Sequence, residues 1–276
     1  MIHKIFFILL GVMLAVSSLA QESGKDKRAD HRQRVNAMMK QDEEGLITYR
    51  KQTVVGFKLT SDGYGGFFEI GRAKSIKKML LFQLEITEKK NAKEVKQSNP
   101  LFPSEPYIYG KENFFYPIKI GVQQQILLGN KSNRNGVSVS TNFGGGIVLG
   151  VLRPYKMEVI DNDSDMSTRY VKYNSPDSGL FLTQYLPGPP FSSQVVPGFI
   201  GGPDFSQGWN DLSVIPGLYA KAALRFDYGR YNETVSALEV GVTGEYYSKK
   251  VPQMAYVPEK QFFLGTYISL MFGSRK

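Results

Sequence analysis

The chain has 276 residues, a formal net charge of +9, two histidines and no cysteine. The missing cysteines exclude disulfides and thiolate nucleophiles, and with so few histidines they also exclude transition-metal sites built on thiolate or imidazole ligands. Forty-two per cent hydrophobic residues are spread without any long uniformly apolar run beyond the first twenty positions.

Those first positions read "MIHKIFFILLGVMLAVSSLA": Lys4, an apolar core from Ile5 to about Val16, then Ser18-Leu19-Ala20 with small residues at −3 and −1. The core is shorter than the roughly 20 apolar residues of a membrane helix, so residues 1–20 read as a removed signal peptide. Taking Lys4 away leaves 33 basic against 25 acidic residues, a net +8. An exported chain seldom meets nucleic acid, so the charge points to anionic headgroups instead. Missing disulfides in an exported chain of this size favour a bacterial envelope protein.

Residues 21–45, "QESGKDKRADHRQRVNAMMKQDEEG", form a charged tail almost free of aromatics, read either as a solvated linker or as a partner-binding segment on the periplasmic side. From there on the texture is alternation. In "GLYAKAALRFDYG" (217–229) Leu218, Ala220, Ala222, Leu224, Phe226 and Tyr228 take one face, and Lys221, Arg225 and Asp227 take the other. A strand keeps the two sets apart, whereas a helix would scatter the charges around its axis.

Seven more segments share that phase, near 48–60, 64–72, 78–87, 114–128, 137–151, 235–247 and 261–272. Each is close to the 9–11 residues of a tilted membrane strand. Links after the second, fourth and sixth segments are short. Those after the third, fifth and seventh are longer, roughly 88–113, 152–213 and 248–260, and the first external link (61–63) is the short exception. Alternation of this kind predicts an all-β fold: an eight-stranded antiparallel up-and-down transmembrane β-barrel with long extracellular loops. Its domains are the signal peptide (1–20), the tail (21–45) and the barrel (46–276).

The ending "SLAQ" of the signal, the glycine-rich "FGGGIVLG" and the final "FFLGTYISLMF" resemble the PorT-like outer-membrane barrels common in Bacteroidetes. The resemblance implies a bacterial outer-membrane location. It also makes the last strand, ending in Phe272 with a four-residue overhang, look like an assembly signal. Some PorT-like relatives serve a secretion system.

Inward faces place Lys58, Glu69, Glu85, Lys119, Lys221, Arg225, Asp227, Glu239 and Glu245 in the lumen, four cations against five anions. Eight strands enclose a bore that side chains fill, so these charges read as an interlocked plug rather than an ion path. Barrel enzymes of the outer membrane use a catalytic histidine, but His3 leaves with the signal and His31 sits in the tail. No enzymatic activity and no cofactor are expected. "DNDSD" (161–165) spaces three carboxylates like the start of a calcium loop, but Met166 stands where the glycine belongs and Lys172 at the twelfth position. It reads as a solvated acidic loop.

The connection 152–213 is rich in proline, glycine and aromatics, and a structureless loop of that length is improbable. Its segments 156–160, 170–173 and 180–185 predict an extracellular hairpin extending the barrel. Tyr185, Phe191, Phe199, Phe205 and Trp209 are candidate anchors for an envelope protein partner, or else a self-packed lid or an aromatic girdle at headgroup level. The expected function is a small closed barrel acting as an accessory or structural subunit of an envelope complex, with outer-membrane lipid around it. Two alternatives are a narrow solute channel with ten or more strands, for which this loop would supply two, and a soluble periplasmic ligand-binding β-protein.

Overall fold

A computed structural model describes residues 50–75, 77–98, 105–130, 136–162, 167–172, 199–229 and 233–276. The signal peptide, the charged tail with His31, and loop residues Tyr185 and Phe191 lie outside them.

Eight long strands form one sheet: β1 (Lys51–Thr60), β2 (Gly63–Ser75), β3 (Lys78–Lys89), β6 (Asn113–Gly129), β7 (Ser138–Pro154), β11 (Ser213–Asp227), β12 (Thr234–Val251) and β13 (Lys260–Arg275). The sheet closes in the order β1-β13-β12-β11-β7-β6-β3-β2, with antiparallel pairing throughout. The remaining strands are short and sit in loops: β4 (Lys96–Gln97) with β5 (Tyr107–Ile108), and β8 (Lys156–Asn162), β9 (Ser167–Lys172) and β10 (Phe199–Gly201) in a separate sheet. The tight β2–β3 connection, and those around 130–137 and 228–233, lie at one end, here the turn end, where β1 begins and β13 finishes. The insertions 90–112, 155–212 and 252–259 crowd the other, the loop end.

The alternation of the sequence is the alternation of the wall. Val55, Phe57, Phe82, Ile86, Ile120, Ile147, Leu218, Val242, Leu264 and Leu270 face outward and are exposed, Leu264 by 72%. Their neighbours one position away face the lumen and are buried, Lys58 and Glu69 at 1% and 0%. A soluble β-protein has the opposite polarity, and a continuous exposed apolar belt of this extent marks a surface made for lipid. Along β13 the apolar outward residues run from Phe262 to Phe272. Ten steps of about 3.4 Å at a tilt of about 40° give a belt about 26 Å tall, the height of the hydrocarbon layer such barrels span.

Two expectations are corrected here, and one is met in part. Segments 156–160 and 170–172 pair as β8 and β9, the expected loop hairpin, and Phe199–Gly201 adds a third strand in a sheet separate from the barrel wall, while segment 180–185 lies outside the described residues. Tyr155 interrupts the strand direction between β7 and β8. Closure at eight therefore removes the ten-strand channel geometry. Finally, β13 runs on to Arg275 with no four-residue overhang, because the Arg275 amide donates to the Glu233 carbonyl and the Lys276 amide to the Lys51 carbonyl.

Inward glycines set the positions of inward rings. A Cβ at Gly150 would lie 2.8 Å from Tyr247 and 2.9 Å from Phe115, and one at Gly56 would lie 2.3 Å from the Phe67 ring. Pairing a bare backbone with a large ring is how a bore this narrow holds aromatics. Gly150→Val is expected to destabilise the barrel by about 1–3 kcal/mol through overpacking. Combined with Tyr247→Ala it should cost less than the sum of the two single changes, as read from urea unfolding in lipid vesicles.

Candidate functional site

All nine predicted lumen charges are buried at 4% exposure or less. They join in one run down the bore. At the loop end Lys89 on β3 reaches Asp62 in the β1–β2 turn (3.1 Å) and Glu245 on β12 (3.0 Å). Glu245 also takes Lys119 of β6 at 2.8 Å and the Tyr247 hydroxyl, which donates at 2.8 Å. Lys119 continues to Glu85 (2.8 Å), which also pairs with Lys58 of β1.

Below this layer the Lys58 ammonium sits 3.9 Å over the Tyr267 ring, and the Tyr267 hydroxyl donates to Glu239 at 2.7 Å. Glu239 is further held by Lys221 (3.2 Å), Arg225 (2.9 Å) and the Asn142 amide (2.7 Å). Arg225 spends its other two nitrogens on both oxygens of Glu69, at 2.9 and 2.8 Å, a bidentate fork. Gln52 donates to Glu69 (3.2 Å) and accepts from Arg275 (3.3 Å), which also binds Asp227.

Each lumen carboxylate thus meets at least one cation, and burying charge is tolerated only under that condition. Above the network Phe115, Tyr247 and Phe263 close the bore, their ring centroids 5.4, 5.6 and 5.7 Å apart, packed with Val148, Leu152, Ile215 and Val251. Towards the turn end Val54, Phe67, Val235, Ala237 and Met271 fill it again. The described lumen is a packed core.

Several network members were not picked out in the sequence: Asp62, Lys89, Arg275, Gln52, Gln83 and Tyr267. Gln52, Gln83 and Tyr267 already lie on the inward phase of segments 48–60, 78–87 and 261–272, and extending the alternation two residues past 87 and three past 272 finds Lys89 and Arg275. Asp62 sits in a turn and carries no such signal.

The second concentration of chemistry lies outside the bore, at the loop end of β6 and β7. Arg153 points outward yet is only 2% exposed. Its guanidinium carbon stands 4.1 Å from the Phe114 ring centroid, 4.9 Å from Trp209, 5.4 Å from Phe205 and 5.8 Å from Tyr116. Arg153 Nη1 donates to the carbonyls of Phe205 (2.6 Å) and Gln207 (3.3 Å). Trp209 stacks on Tyr116 at 5.9 Å and donates its indole N–H to the Phe205 carbonyl at 2.8 Å. Gly208 makes the bend that delivers the indole: its φ is +87°, and a Cβ there would lie 2.7 Å from the Pro154 carbonyl oxygen.

Two of the five candidate anchors, Phe205 and Trp209, are therefore held on the barrel's own rim, as in a girdle, although Phe205 remains 77% exposed. Phe199 contributes to β10 through its backbone.

Over the mouth, Tyr107, Ile108, Tyr155, Met157, Val159, Val171 and Met254 form a small core that ties the three long loops together. The Ile108 amide donates to the Tyr155 hydroxyl at 2.8 Å, and burial pushes the Tyr155 phenol up to about 12. Lys111, 1% exposed, pairs with Glu94 at 2.7 Å; burial pulls its ammonium below the usual lysine range against the opposing pull of Glu94. Of the "DNDSD" run, Asp161 belongs to β8, while Asp163 and Asp165 lie outside the described residues.

No family model and no curated protein matches the chain. Among solved structures it is similar to the N-terminal β-barrel domain of Pseudomonas aeruginosa OprF, with 11% identity, a TM-score of 0.33 and coverage of 81% of this chain and 98% of that one. It is also similar to Neisserial surface protein A, with 10% identity, a TM-score of 0.36 and coverage of 82% and 96%. The fold stands on this chain's own strand register: it is a membrane-type β-barrel, closed, apolar outside and charged within.

Two outcomes follow. Arg225→Met leaves Glu69 and Glu239 short of their fork and is expected to cost about 3–5 kcal/mol, with much of the loss recovered when Glu69→Gln is added, measured by urea unfolding. Trp209 is the only tryptophan, so its emission reports the rim cluster. Gly208→Val or Arg153→Leu is expected to shift that emission while the barrel's heat-dependent gel mobility is retained.

Proposed function

We propose that this protein is a closed, non-conducting barrel of the bacterial outer membrane that serves an envelope complex as an accessory or structural subunit, of secretion or outer-membrane-biogenesis type. The filled lumen carries the reading. Among the described residues, paired charges between two apolar plugs fill the bore, so the work falls to the surfaces at the two ends. The signal-like leader and the lipid-compatible belt support the location.

On this reading the loop end, 152–213, or the charged tail, 21–45, meets the partner. Within the loop, Tyr185, Phe191, Phe199, Phe205 and Trp209 are the candidate anchors, of which Phe205 and Trp209 pack on the rim. The chain acts without catalysis: after removal of the leader its one histidine is His31 of the tail.

Planar-bilayer recording is expected to give no unitary steps at neutral pH; porin-like steps would overturn the closed-barrel reading. Affinity capture of the tagged protein from native membranes in mild detergent is expected to bring a stoichiometric envelope protein. That protein should be lost on removing residues 21–45 or on Tyr185→Ala with Phe191→Ala. A solitary barrel would refute the subunit role.

A further inference from the structure

At the turn end the outward face of one sector is entirely basic. Lys51 is the Cα partner of Arg72 across the β1–β2 pair, and on its other side Lys51 and Lys276 exchange backbone hydrogen bonds. Outward-pointing residues at Lys276, Lys51 and Arg72 thus sit side by side, just past β13, on β1 and on β2. The row continues through Lys74 at the end of β2, Lys77 in the turn and Lys78 at the start of β3. Every one of these side chains is exposed, and none pairs with a carboxylate among the described residues. Glu233, on the far side of β13, is the exposed carboxylate at this end among those residues.

Like charges directly across strands oppose each other, so such a row is unfavourable unless something anionic joins it. Its height on the wall says what that is. Ile70 immediately precedes Arg72 on the outward face, Leu80 immediately follows Lys78, and Phe272 lies two outward positions before Lys276, all three in the apolar belt. The cations begin where the belt ends, about 7 Å further along β2 and β3 and about 14 Å further along β1 and β13. There, long basic side chains extend to the level of lipid phosphates. Among the described residues, the outward faces of β6, β7 and β11 at the same end carry Leu128, Val137, Val139 and Tyr228 instead, so there the row lies on one side of the barrel.

We infer that the row Lys276–Lys51–Arg72–Lys74–Lys78 binds anionic phospholipid headgroups in the leaflet at the turn end, which enriches acidic lipid along one flank and fixes the barrel's depth there. The inference rests on the membrane reading of the belt. Each basic residue near such a surface contributes on the order of fivefold to lipid partitioning at low salt, and the contribution fades within a Debye length as salt rises.

The test is native mass spectrometry of the full chain reconstituted in nanodiscs of equal phosphatidylglycerol and phosphatidylcholine, scoring the lipid retained on release. Phosphatidylglycerol is expected to be retained at least fivefold over phosphatidylcholine at 0.05 M salt, and less so at 0.5 M. The charge-removed variant Lys51→Gln, Arg72→Gln, Lys74→Gln, Lys78→Gln should lose the preference. Replacing Lys51, Lys74 and Lys78 by arginine should keep it, as should Lys93→Gln with Lys96→Gln on the loop side. Equal retention of the two lipids by the wild type would overturn the inference, as would a preference untouched by the four substitutions. Sedimentation with purified peptidoglycan that the four substitutions abolish, without lipid selectivity, would overturn it in favour of a cell-wall contact. Failure to enter nanodiscs of either lipid would overturn the membrane reading along with it.

Discussion

The requirement that a charge shut away from water have a partner organises this molecule. An eight-stranded wall leaves a bore of side-chain width, and this chain turns carboxylates, ammoniums and guanidiniums into it. The charges are tolerable because they interlock. Glu239 alone collects Lys221, Arg225, Asn142 and Tyr267, and Arg225 bridges it to Glu69. Such a network ties β2, β11, β12 and β13 together through the lumen, in addition to the backbone ladder around the wall. The same interlocking seals the bore.

A sealed bore moves function outward. The belt meets lipid and offers little chemical variety. The ends are different: the loop end is a small second core laid over the mouth, with Tyr155 and Lys111 buried in it. Beside it, Arg153 is wrapped in four rings, and the loop that supplies two of them folds back over the outside of the wall. Rather than swinging free, the start and end of the 152–213 connection are pinned to the barrel. What the rim leaves uncovered includes the exposed Phe205 ring. At the opposite end, cations that pair with no carboxylate among the described residues line one flank just past the belt.

Most of the barrel was legible in the chain. With a side-chain period of two, one residue of slip would reverse every face, so eight segments in consistent phase leave little freedom of interpretation. The inward assignment of Lys58, Glu85 and Arg225 followed from that phase alone. Strand ends were less legible. β11 starts at Ser213 rather than Gly217, and β13 continues to Arg275, because ladder bonds to a neighbouring strand extend a strand after its own hydrophobic pattern has faded. Phe199–Gly201 of the loop sheet escaped notice for a similar reason: it is three residues long and is a strand only because β8 lies beside it.

By itself, then, the sequence determined the fold class, the phase of each wall strand, which end holds the long connections, and which charges face inward. All of these are local or periodic properties of one strand at a time. Tertiary structure alone decided which charge pairs with which, since Arg225 and Glu69 stand 156 residues apart and meet only when the sheet closes. Closure likewise brought Asp62 to Lys89, folded Trp209 onto Arg153, and aligned Lys276, Lys51 and Arg72 into one basic row. The physical reason is that alternation specifies a face, whereas a partner is specified by shear and register around the ring.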